Sequence, residues 1–188
     1  MIYRQWMPGS VIAAPVYLDA NVLVAILVSG HSLAIPCSQM FGELLANQHQ
    51  ILISDLGISE CFWALARIAY NKITGQPPGS MGKSAYRRNA AALFAQYGSM
   101  MTALSQQLAA LVKIPYSISM IQATPVSSSR VVSQTTFFMD QLRLTPGDAV
   151  HLAVAEEYAR TFVTCDGDYS VVAGAVTHAS HLTVLRVR

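Results

Sequence analysis

The sequence predicts an α/β fold: a three-layer α/β/α sandwich around a central, mainly parallel twisted sheet. Three observations predict it. Short apolar runs alternate with stretches of helical length along the whole chain, the pattern of a parallel sheet with helices on both faces. The apolar runs are uninterrupted, as in strands buried on both sides. Acidic residues then follow directly on such runs, where an open α/β sheet presents its chemistry.

The elements can be justified in order. Met1–Ala14 forms a short N-terminal extension, and residues 15–188 form one domain, a size that a chain of 188 residues supports. Pro15–Leu18 is a buried strand and Asn21–Val28 a short helix. Leu33–Gln48 is a second helix, with Pro36 tolerated in its first turn. Ile51–Ile53 is a strand. Ser54 and Asp55 are both good capping residues for a helix over Asp55–Tyr70, which ends before the breaker run Thr74–Ser80. A long helix covers Lys83–Val112, and Tyr116–Gln122 is β-like. The polar run Ser127–Ser129 opens a helix to Leu142. Thr145-Pro146-Gly147-Asp148 is a helix start signal, with Pro in the first turn and an acid near the positive end of the dipole; that helix reaches Tyr158. Thr161–Thr164 is a strand, Asp168–Val176 a short helix or loop, and Leu182–Val187 a last strand.

Composition excludes several classes. Apolar residues make up 53% of the chain and charged residues only 12%, about half the usual charged share, which excludes general disorder. It also leaves apolar surface for a partner. The longest apolar run, Val11–Val28, carries Asp19 and Asn21 in its middle and Pro15 near its start. A central Asp costs roughly 3 kcal/mol on membrane insertion, so the run is neither a membrane span nor a good secretory leader. Cys37, Cys61 and Cys165 are odd in number and too widely spaced for a zinc or redox motif. They suit a reduced, cytoplasmic compartment and small core positions.

The formal net charge of +2 hides a strong asymmetry. From Cys61 to Met139 there are seven Lys or Arg and no acid; the remainder holds five Lys or Arg and all ten acids. A basic block of this kind suits a polyanion. Arg67, Lys72, Lys83, Arg87 and Arg88 are its nucleic-acid-binding candidates, against the alternative of a solvated face. Lys113 and Arg130 read as solvated side chains.

With so few acids, position is informative. Asp19 follows Val16-Tyr17-Leu18, and Asp166 follows Phe162-Val163-Thr164-Cys165, so both sit at strand carboxyl ends. Asp148 lies in a helix's first turn, and Glu60 lies one to two turns into the helix after the second strand, among Ile58, Cys61 and Phe62. Each has a plainer reading alone, as a cap or a turn residue. Asp19 and Glu60 resist it, because a carboxylate in apolar surroundings is costly without a partner. Carboxylates brought together stay ionised only around a positive charge. A hard cation supplies that charge and can activate water against a phosphodiester.

The segments Val16-Tyr17-Leu18-Asp19-Ala20-Asn21-Val22-Leu23, Ile53-Ser54-Asp55 through Ser59-Glu60, Leu144–Ala153 and Phe162–Tyr169 resemble, in order, the acidic motifs of PIN-domain nucleases. The third, Leu144-Thr145-Pro146-Gly147-Asp148-Ala149-Val150-His151-Leu152-Ala153, is the most specific. The resemblance spans Val16–Val187 and implies a PIN-like domain. It implies Mg²⁺ or Mn²⁺ held by Asp19, Glu60, Asp148 and Asp166, and an activated water attacking RNA. Asn21 and Thr164 would orient water or the acids, Asp168 would add charge, and His151 would pack. Many bacterial members are VapC-like toxins, which implies a homodimer and an antitoxin covering an apolar groove. A free-standing RNA-processing nuclease and a silent RNA- or protein-binding PIN-like module remain open. A haloacid dehalogenase-type phosphotransferase is the remote rival, since that motif wants a second Asp where Asn21 stands and gives Glu60 and Asp148 no role.

Overall fold

Strands β1 (Ile2–Gln5), β2 (Val16–Leu18), β3 (Ile51–Ser54), β4 (Val112–Lys113), β5 (Ile121–Thr124), β6 (Thr161–Thr164) and β7 (Thr183–Arg186) form one sheet in the order β1-β7-β6-β2-β3-β5-β4. Every neighbouring pair is parallel. The computed structural model describes residues 1–28, 30–113, 121–174 and 180–188, and all structural statements concern these. All of the β-like run Tyr116–Gln122 before Ile121 lies outside them, as do the last residues of Asp168–Val176. The described part of the latter is a 3-10 turn, Asp168–Gly174.

The strands alternate their side chains between two cores, which is why the runs look uninterrupted in sequence. Val16, Leu18, Ile51, Ile53, Val163 and Leu185 enter one core with α1 (Ala20–Leu27) and α2 (Ala34–Ala46). Tyr17, Leu52, Phe162 and Val184 enter the other with α5 (Ser129–Leu142) and α6 (Pro146–Tyr158). Helices on both faces make the α/β/α sandwich. Burying each large side chain of this kind contributes roughly 1.5–3 kcal/mol. A smaller cluster, Ala66, Ala69, Tyr70, Met81 and Leu93, joins α3 (Asp55–Thr74) to α4 (Lys83–Leu111).

The helix starts follow the capping chemistry. Ser54 Oγ accepts from Gly57 N at 3.0 Å, Ser128 Oγ from Val131 N at 3.1 Å and Thr145 Oγ1 from Asp148 N at 3.4 Å. Ser54 is therefore the cap of α3, and Asp55 sits in its first turn. α3 runs one turn further than expected and stops at Gly75, whose φ of 68° suits glycine.

Met1–Ala14 is not set apart from the domain. Ile2–Gln5 pairs with β7, and Trp6 is buried, its N donating to Arg186 O at 2.8 Å. The IYRQ strand is a mostly exposed edge strand and carries no apolar run to announce it. Cys37 and Cys61 are buried as expected, while Cys165 is half-buried with its thiol 3.4 Å from that of Cys37. No described helix is long and apolar enough to cross a membrane.

Candidate active site

The chain runs outward from β2 in both directions across the sheet, towards β3 on one side and β6 on the other. The carboxyl end of β2 is thus next to a topological switch point, where such sheets bind ligands. Asp19 leaves β2 there and is the N-cap residue of α1, although its side chain makes no cap hydrogen bond. It faces inward instead, at 5% exposure.

Two predicted residues hold it. Thr164 Oγ1 donates to Asp19 Oδ2 at 2.7 Å, and Asn21 Nδ2 donates to the same oxygen at 2.8 Å. Asn21 Oδ1 accepts from Cys165 N at 3.0 Å, and Thr164 Oγ1 accepts from Asp166 N at 2.9 Å. These bonds tie the end of β2 to the end of β6, so Asp19 and Asp166 are set by one polar seam. Burial still pushes the Asp19 carboxyl above the ordinary carboxylate range; His151 and the Thr164 hydrogen bond pull it down, and Glu60 adds to the rise.

Glu60 departs from its apolar sequence surroundings. Its side chain is 40% exposed and opens onto the same cavity as Asp19. The α3 helix puts Ile58 and Cys61 on the packed side, and Glu60 faces the sheet's carboxyl edge. Its Oε2 accepts from His151 Nε2 at 2.7 Å. His151 is buried, as packing would require, but both its nitrogens are engaged: Nδ1 lies 2.7 Å from Tyr17 OH, which lies 2.7 Å from Ser54 Oγ. A chain of hydrogen bonds therefore runs from the cap of α3 through β2 and α6 to Glu60. Burial lowers the His151 pKa, but the Glu60 hydrogen bond and the charges of Asp19, Glu60 and Asp148 outweigh it and raise it overall. Gly57 makes room for this arrangement, since a Cβ there would lie 3.0 Å from Ile53 and 3.5 Å from His151 Cε1.

Asp148 accepts from Thr145 Oγ1 at 2.6 Å, the reciprocal of the cap it donates to. Asp166 Oδ1 accepts from Asp168 N at 2.8 Å. Asp19, Glu60, Asp148 and Asp166 all line one cavity of about 430 Å³, together with Asn21, Trp63, Arg67 and His151. Asp168 is exposed and lines a neighbouring cavity that Asp148 also borders, and it is not among the residues lining the acid cavity. Of the five basic candidates, Arg67 alone lines the acid cavity; Lys72, Lys83, Arg87 and Arg88 are exposed on α3 and α4.

The donor set fits a hard divalent cation. Ligand atoms of Asp19, Glu60 and His151 lie within 4.8 Å of one another. His151 spends its two nitrogens on Glu60 and Tyr17, which leaves carboxylate oxygens as the open donors, the type Mg²⁺ prefers. His151 would then be the partner that orients Glu60 if that carboxylate held a cation. Its role escapes the sequence because Tyr17, Glu60 and His151 are far apart in the chain. Arg186 was also missed: its Nε lies 3.4 Å from Cys165 O, and its guanidinium lies where a Cβ on Gly167 would fall. It braces the loop that presents Asp166.

A wholly parallel α/β sandwich with carboxylates gathered at the switch point is an architecture built for polar catalysis at the strand ends. The PIN domain family model matches residues 16–175, and the chain belongs to that family, a family of nucleases. Among solved structures, the chain is similar to VapC20 of Mycobacterium tuberculosis, a toxin that cleaves the sarcin–ricin loop, with 16% identity, 84% of this chain and 94% of that one covered, and a TM-score of 0.46. It is also similar to VapBC2 of Rickettsia felis bound to a DNA fragment from its promoter, with 13% identity, coverage of 92% and 97%, and a TM-score of 0.49. No curated protein sequence matches the chain.

Proposed function

We infer that the chain is a Mg²⁺- or Mn²⁺-dependent endoribonuclease and the toxin of a toxin–antitoxin pair. The observation that carries this reading is the convergence of Asp19, Glu60, Asp148 and Asp166, from four separate motifs, on one cavity. These four would hold the metal. Bound there, a divalent cation supplies the neutralising charge and the acidified water that phosphodiester hydrolysis needs. The protein's own residues do the positioning. Thr164 and Asn21 fix Asp19, His151 fixes Glu60, Thr145 fixes Asp148, and the backbone of Asp168 fixes Asp166. Arg67 contributes positive charge on the cavity wall, where a phosphate would approach.

The remaining partners follow from the surface. Val132 and Met139, two turns apart on α5, are exposed at 59% and 39%, and such apolar side chains suit a second copy of the chain or an antitoxin segment.

Purified protein should cleave RNA only with Mg²⁺ or Mn²⁺ present, and Asp19→Asn should abolish cleavage while the circular dichroism spectrum stays unchanged. Cleavage that survives excess chelator would end the metal reading. Expression of the active chain should arrest growth, and the Asp19→Asn chain should not.

A further inference from the structure

A second cavity, of about 760 Å³, opens between α3 and α4. Phe62, Trp63, Ala66 and Tyr86 form its apolar floor, and Thr102 and Gln106 stand on the α4 side. It adjoins the acid cavity, because Trp63 lines both and Ser59, on its wall, precedes Glu60. The Trp63 and Tyr86 rings pack at 5.6 Å, and Phe62 is 41% exposed. The Arg67 guanidinium lies 5.5 Å from the Trp63 ring, yet its buried Nε has no hydrogen-bond partner.

We propose that this groove is a nucleobase subsite, holding the base of a nucleotide next to the phosphodiester at the carboxylates. The claim rests on the ribonuclease reading and names the part of the substrate that the acids do not hold. Three features select this occupant. The groove meets the acid cavity at Trp63, so an occupant of one lies next to what the acids hold. None of its lining residues is acidic, and Lys83, Arg87 and Arg88 are exposed in the first turns of α4, the segment that carries Tyr86. That charge suits a polyanion. Its floor is aromatic, while Thr102 and Gln106 offer donors and acceptors that a base edge can use and an apolar helix would leave unpaired. Unstacked bases of single-stranded RNA bind in this way, against aromatic rings and Arg planes. The substrate class is therefore RNA with a splayed, unpaired base beside the cut, rather than an intact duplex.

The chain has two tryptophans, Trp6 and Trp63. Trp6 is buried with an unpartnered Nε1, so Trp6→Phe loses no hydrogen bond and leaves Trp63 as the sole tryptophan, read selectively by excitation at the red edge of indole absorption. The Trp6→Phe, Asp19→Asn double variant, which keeps RNA intact, would be titrated with a short single-stranded RNA and with the same RNA carrying abasic sites. The subsite predicts quenching of Trp63 by the first and about tenfold weaker binding of the second. Phe62→Ser, at an exposed position, should weaken the base-bearing RNA and leave the abasic RNA unchanged. Equal binding of both RNAs, or an equal loss on both in Phe62→Ser, would overturn the proposal. So would a Trp63 response only to an apolar helical peptide, which would give the groove to a protein partner. The two readings separate cleanly. Mn²⁺-dependent cleavage by the wild type without a Trp63 response removes the subsite alone, and a base-dependent Trp63 response without cleavage removes the nuclease alone.

Discussion

Asp19 is held where a carboxylate is least comfortable, buried at the end of β2 and close to Glu60. Its pKa is raised by that burial, so the folded chain binds the Asp19 proton more tightly than the unfolded chain does. The sign of the linkage follows. The stabilisation is complete below the ordinary carboxylate value and is lost as pH rises through the raised one. Metal-free protein should therefore lose thermal stability over that rise, and Asp19→Asn, which keeps an oxygen for Thr164 and Asn21, should flatten the loss and melt higher at neutral pH. Melting curves over a pH series in chelator test this; a less stable Asn variant at neutral pH would contradict it. Tyr17 is the other telling residue. Its hydroxyl lies between His151 and Ser54, and Tyr17→Phe leaves buried polar atoms without a partner, a loss of about 1–3 kcal/mol. Cleavage should fall with RNA affinity unchanged, as read by single-turnover rates against binding curves. A fall in affinity alone would mean that this hydrogen-bond chain does not set Glu60.

The elements divide into those legible in the sequence and those not. β2 and β6 are legible because residues buried on both faces leave short apolar, β-branched stretches, VYL and TFVT. α6 is legible because Thr145 and Pro146 combine a cap with a first-turn proline. β1 is not, since an exposed edge strand of four residues has no pattern to show. Asp19, Asp148 and Asp166 could be picked out by their places after strands and at a helix start, and Glu60 by its apolar sequence neighbours, all of them local features. The Tyr17–His151–Glu60 chain could not, because its partners stand 134 and 91 residues apart and share no local signal. Glu60 itself was legible as a candidate, but not its exposure: its sequence neighbours are apolar, and only the helix's rotation shows that it faces the cavity. For α4, the exposed Arg87 and Arg88 supply charge outside the acid cavity. Replacing both with Ala should weaken RNA binding and flatten its salt dependence by about one slope unit per lost phosphate contact. An unchanged slope in a salt titration would return them to plain solvated side chains.

At the scale of the whole molecule, the charge asymmetry becomes a division of labour. Four acids from the two ends of the chain, Asp19, Glu60, Asp148 and Asp166, line one cavity, and the acid-free middle forms α4 and most of α3. On the proposed function, a polyanion would be attracted to the flank and met by carboxylates at the centre, and a cation between the acids would make that arrangement productive. The sheet order makes this possible by setting β2 between β3 and β6, so that three motif-bearing strands end side by side, while α6 brings Asp148 across their ends. The claim on which all of this depends is that the four carboxylates act as one cation site. Titration of Mn²⁺ into the wild type and into single Asp19→Asn, Glu60→Gln, Asp148→Asn and Asp166→Asn variants, followed by electron paramagnetic resonance, measures it most directly. The account predicts saturable binding by the wild type and a marked loss of affinity in every variant. Wild-type protein that fails to bind Mn²⁺, or variants that all bind it undiminished, would contradict it.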